Sequence, residues 1–218
     1  METDEIIISR AVPEDAPAAA ELMYEASFPV EQIIFDKPKN KAKELIIETY
    51  NEVFHRKGHI QSYSHTFVAR IDGNVVGMFI GYDKKTRNEA IRFSYKIVLS
   101  WLRRIPFRHI FKLLRFAIDI GRSSAPITEE DYYIEYFAVT PQRRLQGIGR
   151  RLMQTAEMEA RKRSLERIAL DMVIDNKEAR CFYESLGFKA VNEVTYKQRY
   201  AKYGMSGEIR MVKYMSHW

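Results

Sequence analysis

One stretch of the sequence limits the topology more than any other. Residues 132–139 (YYIEYFAV) read as a strand, 147–163 as a helix, and 167–174 (RIALDMVI) as a second strand, with a basic, glycine-bearing turn before the helix. A strand–helix–strand crossover of this kind places two parallel strands side by side. Parallel strands covered on one face by a helix give a mixed α/β sheet.

The flanking segments extend that sheet. Residues 5–10 (EIIISR) predict a first strand, and Pro13 opens a helix reaching about Ser27. Pro29 and Pro38 punctuate a loop. A second helix is predicted from about Asn40 to Arg56, with Leu45, Tyr50, Val53 and Phe54 inward and Gly58 ending it. Residues 65–71 (HTFVARI) and 75–82 form a hairpin across Asp72-Gly73-Asn74, residue types that accept positive φ. Downstream, 177–186 predict a short helix stopped by Gly187, and 188–194 and 209–214 the last strands. No internal repeat or low-complexity tract interrupts the 218 residues, so the chain reads as one domain, 1–218, carrying an insertion at about 83–122.

Composition narrows the function classes. With 46% hydrophobic and 29% charged residues the chain is built to bury a core. Its single cysteine, Cys181, excludes an intrachain disulfide and a Cys-rich zinc site, and fits a reducing cytoplasm. The acidic start, Met1 to Ser9, lacks the features of a secretory signal, and no run of about 18 uncharged apolar residues predicts a membrane span. His55, His59, His65 and His109 have no metal-ligand spacing. The net charge of +6 is uneven: residues 83–122 hold eleven Lys/Arg against three Asp/Glu, a net +8 that leaves the remainder at −2. The basic character therefore describes that segment and its surroundings.

The turn before the long helix, Val139-Thr140-Pro141-Gln142-Arg143-Arg144-Leu145-Gln146-Gly147-Ile148-Gly149-Arg150, has the chemistry of an anion cradle. A helix start leaves backbone N–H groups unpaired at the positive end of the helix dipole. Gly147 and Gly149 would let a phosphate approach the backbone, and Arg143, Arg144 and Arg150 supply charge-assisted donors. In the helix, Ile148, Leu152, Ala156 and Ala160 recur every four residues, with Arg150, Arg151, Glu157 and Arg161 off that stripe. Taken alone, the pattern is equally an ordinary tight turn. It is not a dinucleotide fingerprint, because Leu152 stands where a third glycine belongs, nor a P-loop, because no Gly-Lys-Ser/Thr follows.

A second segment runs Asn176-Lys177-Glu178-Ala179-Arg180-Cys181-Phe182-Tyr183-Glu184-Ser185-Leu186-Gly187-Phe188. Asn176 is a good N-cap, Ala179, Phe182, Tyr183 and Leu186 share one face, and Gly187 is a left-handed stop over which Phe188 packs back. Together the two segments resemble the GNAT superfamily of acetyl-CoA-dependent N-acetyltransferases. The family's loop, Gln/Arg-x-x-Gly-x-Gly/Ala, fits RLQGIG at 144–149 after Ala138-Val139-Thr140-Pro141, and its Asn-x-x-Ala-x-x-Phe-Tyr-x-x-x-Gly-Phe is met in full from Asn176 to Phe188. The likeness is close over about 132–188 and extends to the N-terminal half by element order alone.

The resemblance implies a GNAT-like fold: a central mixed sheet of about seven strands flanked by helices, with the helical insertion before the cofactor-binding strand. It implies that acetyl-CoA is the cofactor, with no metal. The backbone of Phe137, Ala138 and Val139 should pair with the pantetheine arm. The loop Arg143, Arg144, Leu145, Gln146, Gly147, Ile148, Gly149 and Arg150 should hold the pyrophosphate. Asn176 should sit near the thioester or an ordered water, Phe182 should lie against the cofactor, and Tyr183 should protonate the departing thiolate.

Direct transfer to a primary amine in a ternary complex needs a group that takes the amine's proton. Glu135 leads, because the two-residue period of the strand puts it on the face of Phe137 and Val139; Glu130 and Asp131 follow. A backbone N–H on the Val139 strand would meet the developing oxyanion. Cys181 reads as a small buried hydrophobe rather than an acyl carrier.

In the insertion, 94–105 and 107–120 predict two helices broken at Pro106, the second with Phe107, Ile110, Phe111, Leu114 and Ile118 on one face and Arg108, Lys112, Arg115 and Asp119 on the other. The leading reading is a hairpin walling the acceptor site; peripheral contact with an anionic membrane and an acidic partner or acceptor rank below it. Tyr196, Tyr200 and Tyr203 serve packing or line an acceptor pocket, with packing ahead. The competing function is a non-catalytic acyl-CoA-binding or regulatory module. A nucleic-acid role ranks last, because no reader motif is present. The acceptor class, small molecule or peptide, is open, and a homodimer is the default assembly.

Overall fold

The computed structural model describes residues 5–27, 39–90, 107–121 and 125–215. Seven strands form one sheet in the order β1-β2-β3-β4-β5-β7-β6: β1 (Ile7–Arg10), β2 (Thr66–Ile71), β3 (Asn74–Asp83), β4 (Asp131–Val139), β5 (Arg167–Val173), β6 (Lys189–Thr195) and β7 (Gly207–Tyr214). The β4–β5 pair is parallel and all others are antiparallel, as the crossover requires. The mixed sheet of about seven strands is what the sequence implied.

Among the described residues, the helices that accompany the sheet include α1 (Ala16–Ala26), α2 (Lys39–Phe54), α3 (Phe107–Gly121), α4 (Ile148–Lys162) and α5 (Lys177–Ser185). Residues 84–90 are also helical. Pro13 opens a 3-10 turn (Pro13–Asp15) that leads into α1. On one face, Ile148, Leu152, Ala156 and Ala160 of α4 pack with Phe79, Ile134, Ile168 and Met211 of the sheet. Gly77 allows this approach: a Cβ there would lie 3.2 Å from Leu152 Cδ1 and 3.3 Å from Ile148 Cγ2. On the other face, Leu22 and Met23 of α1 and Tyr50, Val53 and Phe54 of α2 pack with Val68, Met78 and Ile80. Leu45, expected inward, is half-buried. Each large apolar side chain fully buried in these layers contributes on the order of 1.5–3 kcal/mol.

The insertion only partly follows expectation. The segment 94–105 and the break at Pro106 lie outside the described residues, as does the loop with Pro29 and Pro38. The second predicted helix exists as α3, but the face it buries is not the predicted one. His109 and Phe116 are buried, while Phe111, Leu114 and Ile118 are exposed. The helix is apolar over more than half its circumference, so sequence alone could not choose the buried arc. Asp119 anchors α3 to the segment between β6 and β7, accepting hydrogen bonds from Lys197 Nζ, Arg199 Nη2 and the Tyr200 hydroxyl, and Phe116 meets the Tyr200 ring edge-on at 5.5 Å. Tyr200 and Tyr196, which donates to Glu208, are therefore packing residues.

Candidate active site

The site arises where two strands part company. β4 and β5 pair only from Asp131↔Arg167 to Ile134↔Leu170, and beyond that point β4 pairs with β3 alone. The Thr140 N–H bonds Val76 O at 2.9 Å, so Thr140, Ala138 and Tyr136 turn their backbone groups to β3. By alternation, the N–H and C=O of Phe137 and Val139 face the gap. A cavity of about 1260 Å³ opens there and runs through the sheet between its two helical layers.

The start of α4 closes one end of the cavity. Its first intrahelical bond is Arg151 N–H to Gly147 O at 3.1 Å, which leaves the N–H groups of Ile148, Gly149 and Arg150 without intrahelical partners. Gly147 caps the helix at φ +80°, where a side chain would be strained. Gly149 serves a neighbour. A Cβ there would stand 3.0 Å from Phe182 Cζ, so glycine makes room for the aromatic ring on α5. The cavity is lined by Phe137, Ala138, Val139, Arg143, Arg144, Leu145, Gly147, Ile148, Gly149 and Arg150, and across the gap by Asn176, Phe182 and Tyr183. The Arg144 Nε donates to Val139 O at 3.2 Å, bending the basic loop back over the strand edge. Gln146 is the exception among the predicted loop residues. It does not line the cavity, and its amide donates to Gln142 O at 3.4 Å.

Local chemistry fixes α5. Asn176 Oδ1 accepts from Ala179 N at 3.0 Å as the N-cap, and Gly187 at φ +90° lets Phe188 N reach Tyr183 O at 3.1 Å. The Tyr183 ring is held among Phe137, Phe182 and Phe188 at centroid distances of 5.3–6.1 Å, and burial pushes its hydroxyl well above the ordinary tyrosine value. Cys181 corrects the sequence reading: it is exposed rather than buried, and it does not line the cavity.

Glu135 lines the cavity, but from the other face of the sheet. The register passes from Ile80↔Tyr136 to Gly81↔Ile134, so Glu135 is the extra residue of a β-bulge. The bulge breaks the two-residue period that placed Glu135 with Phe137 and Val139. Instead it sits beside Tyr136: Gln61 Nε2 donates to Glu135 Oε1 at 2.9 Å and to the Tyr136 hydroxyl oxygen at 3.2 Å. Glu135 Oε2 is buried with no hydrogen-bond partner. Burial raises the carboxyl's pKa above the usual carboxylate range, opposed by the Gln61 bond, the Tyr82 hydroxyl and Arg87. The alternatives are occupied elsewhere. Asp131 is buried against Arg167 Nε at 2.6 Å and accepts from Thr128 N at 2.7 Å, Glu130 is exposed, and neither lines the cavity.

Several cavity residues escaped the sequence reading. Half-buried Asp171 and buried Arg210 face each other across β5 and β7 as an ion pair, with the Tyr133 hydroxyl donating to Asp171 Oδ2 at 3.0 Å and Arg210 Nη2 to Ala125 O at 2.6 Å. A charge flanked by apolar residues in each strand, Asp171 between Leu170 and Met172 and Arg210 between Ile209 and Met211, was the available signal. Of the described insertion residues, only Lys84 and Arg87 line the cavity; no described residue of α3 does. Tyr203 also stands away from it. Among the described residues, no cluster of three or more His, Cys, Asp or Glu could hold a metal ion, and no helix is long and apolar enough to cross a membrane.

Comparison with known proteins agrees with this geometry. A family model described as "Acetyltransferase (GNAT) family" matches residues 31–188. Among solved structures, an N-acetyltransferase from Staphylococcus aureus Mu50 superposes with TM-score 0.63 at 17% identity, covering 95% of this chain and 100% of that one. The PaiA N-acetyltransferase from Thermoplasma acidophilum, solved in complex with coenzyme A, gives TM-score 0.57 at 15% identity over 97% and 99% of the two chains. The ribosomal-protein-S18-alanine N-acetyltransferase from Escherichia coli gives 0.52 at 16% identity over 98% and 96%. At these identities the likeness is one of fold. No match was found among curated protein sequences.

Proposed function

Because the chain belongs to the acetyltransferase (GNAT) family, we propose that it binds acetyl-CoA in the gap between β4 and β5 and passes the acetyl group directly to a primary amine. The observation that carries this reading is convergence. An unpaired helix start, a strand edge that β5 has left, a buried tyrosine and a glutamate with a buried, unbonded oxygen all open on one cavity. The residues fit the cofactor. The N–H groups of Ile148, Gly149 and Arg150 suit a diphosphate, with Arg144 and Arg150 beside them. The edge of Phe137 and Val139 suits the amides of a pantetheine arm, and Phe182 offers an apolar wall. Bound there, acetyl-CoA supplies a thioester whose acetyl group is open to attack.

The chain's own groups then divide the work. Glu135 Oε2 accepts the proton of the incoming amine. One backbone N–H of the β4 edge stabilises the charge that gathers on the carbonyl oxygen, and the remaining edge groups stay with the pantetheine arm. Tyr183 donates a hydrogen bond to the leaving sulfur. The acceptor enters on the side of Tyr82, Arg87 and Glu135, opposite the helix start. A non-catalytic acyl-CoA-binding module would need neither Glu135 nor Tyr183 on the cavity wall, so the enzyme is the favoured reading.

Two measurements test this. Titration calorimetry should show coenzyme A binding that weakens by about tenfold in an Arg144→Ala/Arg150→Ala double variant, with a smaller difference at high salt. Thiol release across a panel of small and peptide amines should show acceptor-dependent turnover. Binding without turnover favours the module, and no binding at all ends the assignment. Direct transfer also predicts that Cys181→Ala keeps wild-type kcat, since the thiol lies outside the cavity. A folded but inactive Cys181→Ala variant would require an acyl-enzyme instead.

A further inference from the structure

We propose that Gln61 is a positioning residue for proton transfer: it anchors one oxygen of Glu135 so that the other is presented to the acceptor amine. The inference rests on the reading of Glu135 as the base, and it concerns a residue outside both sequence motifs and outside the cavity wall.

The geometry is built from the end of α2. Gly58 at φ +93° turns the chain, His59 N–H returns to Arg56 O at 3.0 Å, and Ser62 N–H reaches His59 O at 3.1 Å. Within this turn the Gln61 backbone N–H donates to His59 Nδ1 at 3.1 Å. That bond needs a neutral imidazole. Burial, with Arg56 and His65 nearby, lowers the His59 pKa to about 4 and keeps it neutral near pH 7. Ser62 then caps the short 3-10 turn (Tyr63–His65) that enters β2, and Thr66 Oγ1 locks the turn through Ser62 O at 2.9 Å.

The Gln61 side chain is thereby aimed under the β4 bulge. Its amide nitrogen donates to Glu135 Oε1 and to the Tyr136 hydroxyl, which itself donates to the Tyr50 hydroxyl at 3.4 Å. A bulge residue has lost its strand partner and has no ladder to orient it. Gln61 supplies the directed bond at Oε1; the Tyr82 hydroxyl stands near the carboxyl from β3, and Oε2 makes no bond of hydrogen-bond geometry. The other ionisable groups facing Glu135 are Tyr82 on β3, Arg87 on the 84–90 helix, and Tyr133 and Tyr136 on β4 itself. Of these, Arg87 alone is charged at neutral pH. Gln61 is thus a neutral donor that holds the carboxylate and favours its charged form without competing for the amine's proton.

The test is the pH profile of kcat in Gln61→Met and Gln61→Glu, with thermal midpoints measured alongside. Met keeps the length and removes the donor. A donor to the charged carboxylate lowers its pKa, so its loss should move the acid limb to higher pH. At pH 7, kcat should fall roughly tenfold, with the KM for acetyl-CoA unchanged and the rate recovering as pH rises. Glu keeps the shape and sets a second carboxyl against the first, so the limb should move further in the same direction. A folded Gln61→Met or Gln61→Glu protein with wild-type kcat and an unmoved limb overturns the inference. Glu135→Gln separates the two levels. If it is inactive while the Gln61 variants are normal, positioning alone fails; if it is fully active, the base assignment fails and positioning with it.

Discussion

Glu135→Gln should cut acceptor-dependent thiol release by about 10²–10⁴-fold at pH 7, leave coenzyme A affinity unchanged, and raise thermal stability. The three outcomes follow from one fact, the burial of a carboxyl whose Oε2 has no partner. A glutamine keeps the shape and still accepts from Gln61 through Oε1, but it cannot take a proton from an amine. The stability sign follows from linkage. The folded carboxyl's pKa is raised above its unfolded value, so the folded state binds the extra proton more tightly. That contribution is present at low pH and is lost as pH rises through the raised value. At neutral pH the charged, buried Glu135 therefore costs stability that a neutral glutamine does not.

The pH profile carries the same sign. Activity requires the charged form, so the acid limb of kcat/KM should lie above the ordinary carboxylate range and mark the raised value. A site that gains stability when it loses function is strained for its task. A Glu135→Gln enzyme that keeps full turnover, or that loses turnover together with its fold, would move the base elsewhere on the cavity wall.

What the sequence disclosed, and what it hid, follows from the range of the interactions involved. The α4 stripe of Ile148, Leu152, Ala156 and Ala160 is buried as its four-residue period required, and the Asn176 cap and Gly187 stop are formed as read. These are local patterns set by helix geometry. The parallel β4–β5 pair follows from the crossover rule, which is nearly as local. The bulge at Glu135 is not. The two-residue rule assumes one residue per step, and the extra residue shows only in the register with β3. One trace existed: Gly81 lies where the Tyr132 ring passes, 2.7 Å from where a Cβ would be. Gln61 is 74 residues from Glu135 in sequence, and no periodicity links a turn after α2 to a strand that far downstream. Gly149 was legible as a required glycine, but its partner, Phe182, was not. The exposed arc of α3 was hidden for a different reason. Its apolar arc is wider than the face it buries, and contact with the segment between β6 and β7 selects the buried part.

Tyr183→Phe should lower kcat by about 10- to 100-fold, at the low end for general acid–base effects, while leaving the KM for acetyl-CoA nearly unchanged. The modest size comes from the environment. Packed among Phe137, Phe182 and Phe188, the Tyr183 hydroxyl has its pKa pushed well above 10, and it makes no hydrogen bond among the described residues. A thiol leaving group has a pKa of about 8.5. A proton does not pass fully from so weak an acid to so weak a base. Tyr183 therefore acts as a directed hydrogen-bond donor whose help grows as charge gathers on sulfur, and the free thiolate takes its proton afterwards from solvent. Two results separate this role from full proton transfer. The phenylalanine variant should keep the basic limb of the pH profile where it is, because the hydroxyl does not titrate in that range. Its defect should also shrink with an acetyl donor whose thiol is more acidic, since a better leaving group needs less stabilisation. A Tyr183→Phe protein that folds and turns over at the wild-type rate would remove the hydroxyl from the reaction and leave its ring as a wall of the cavity.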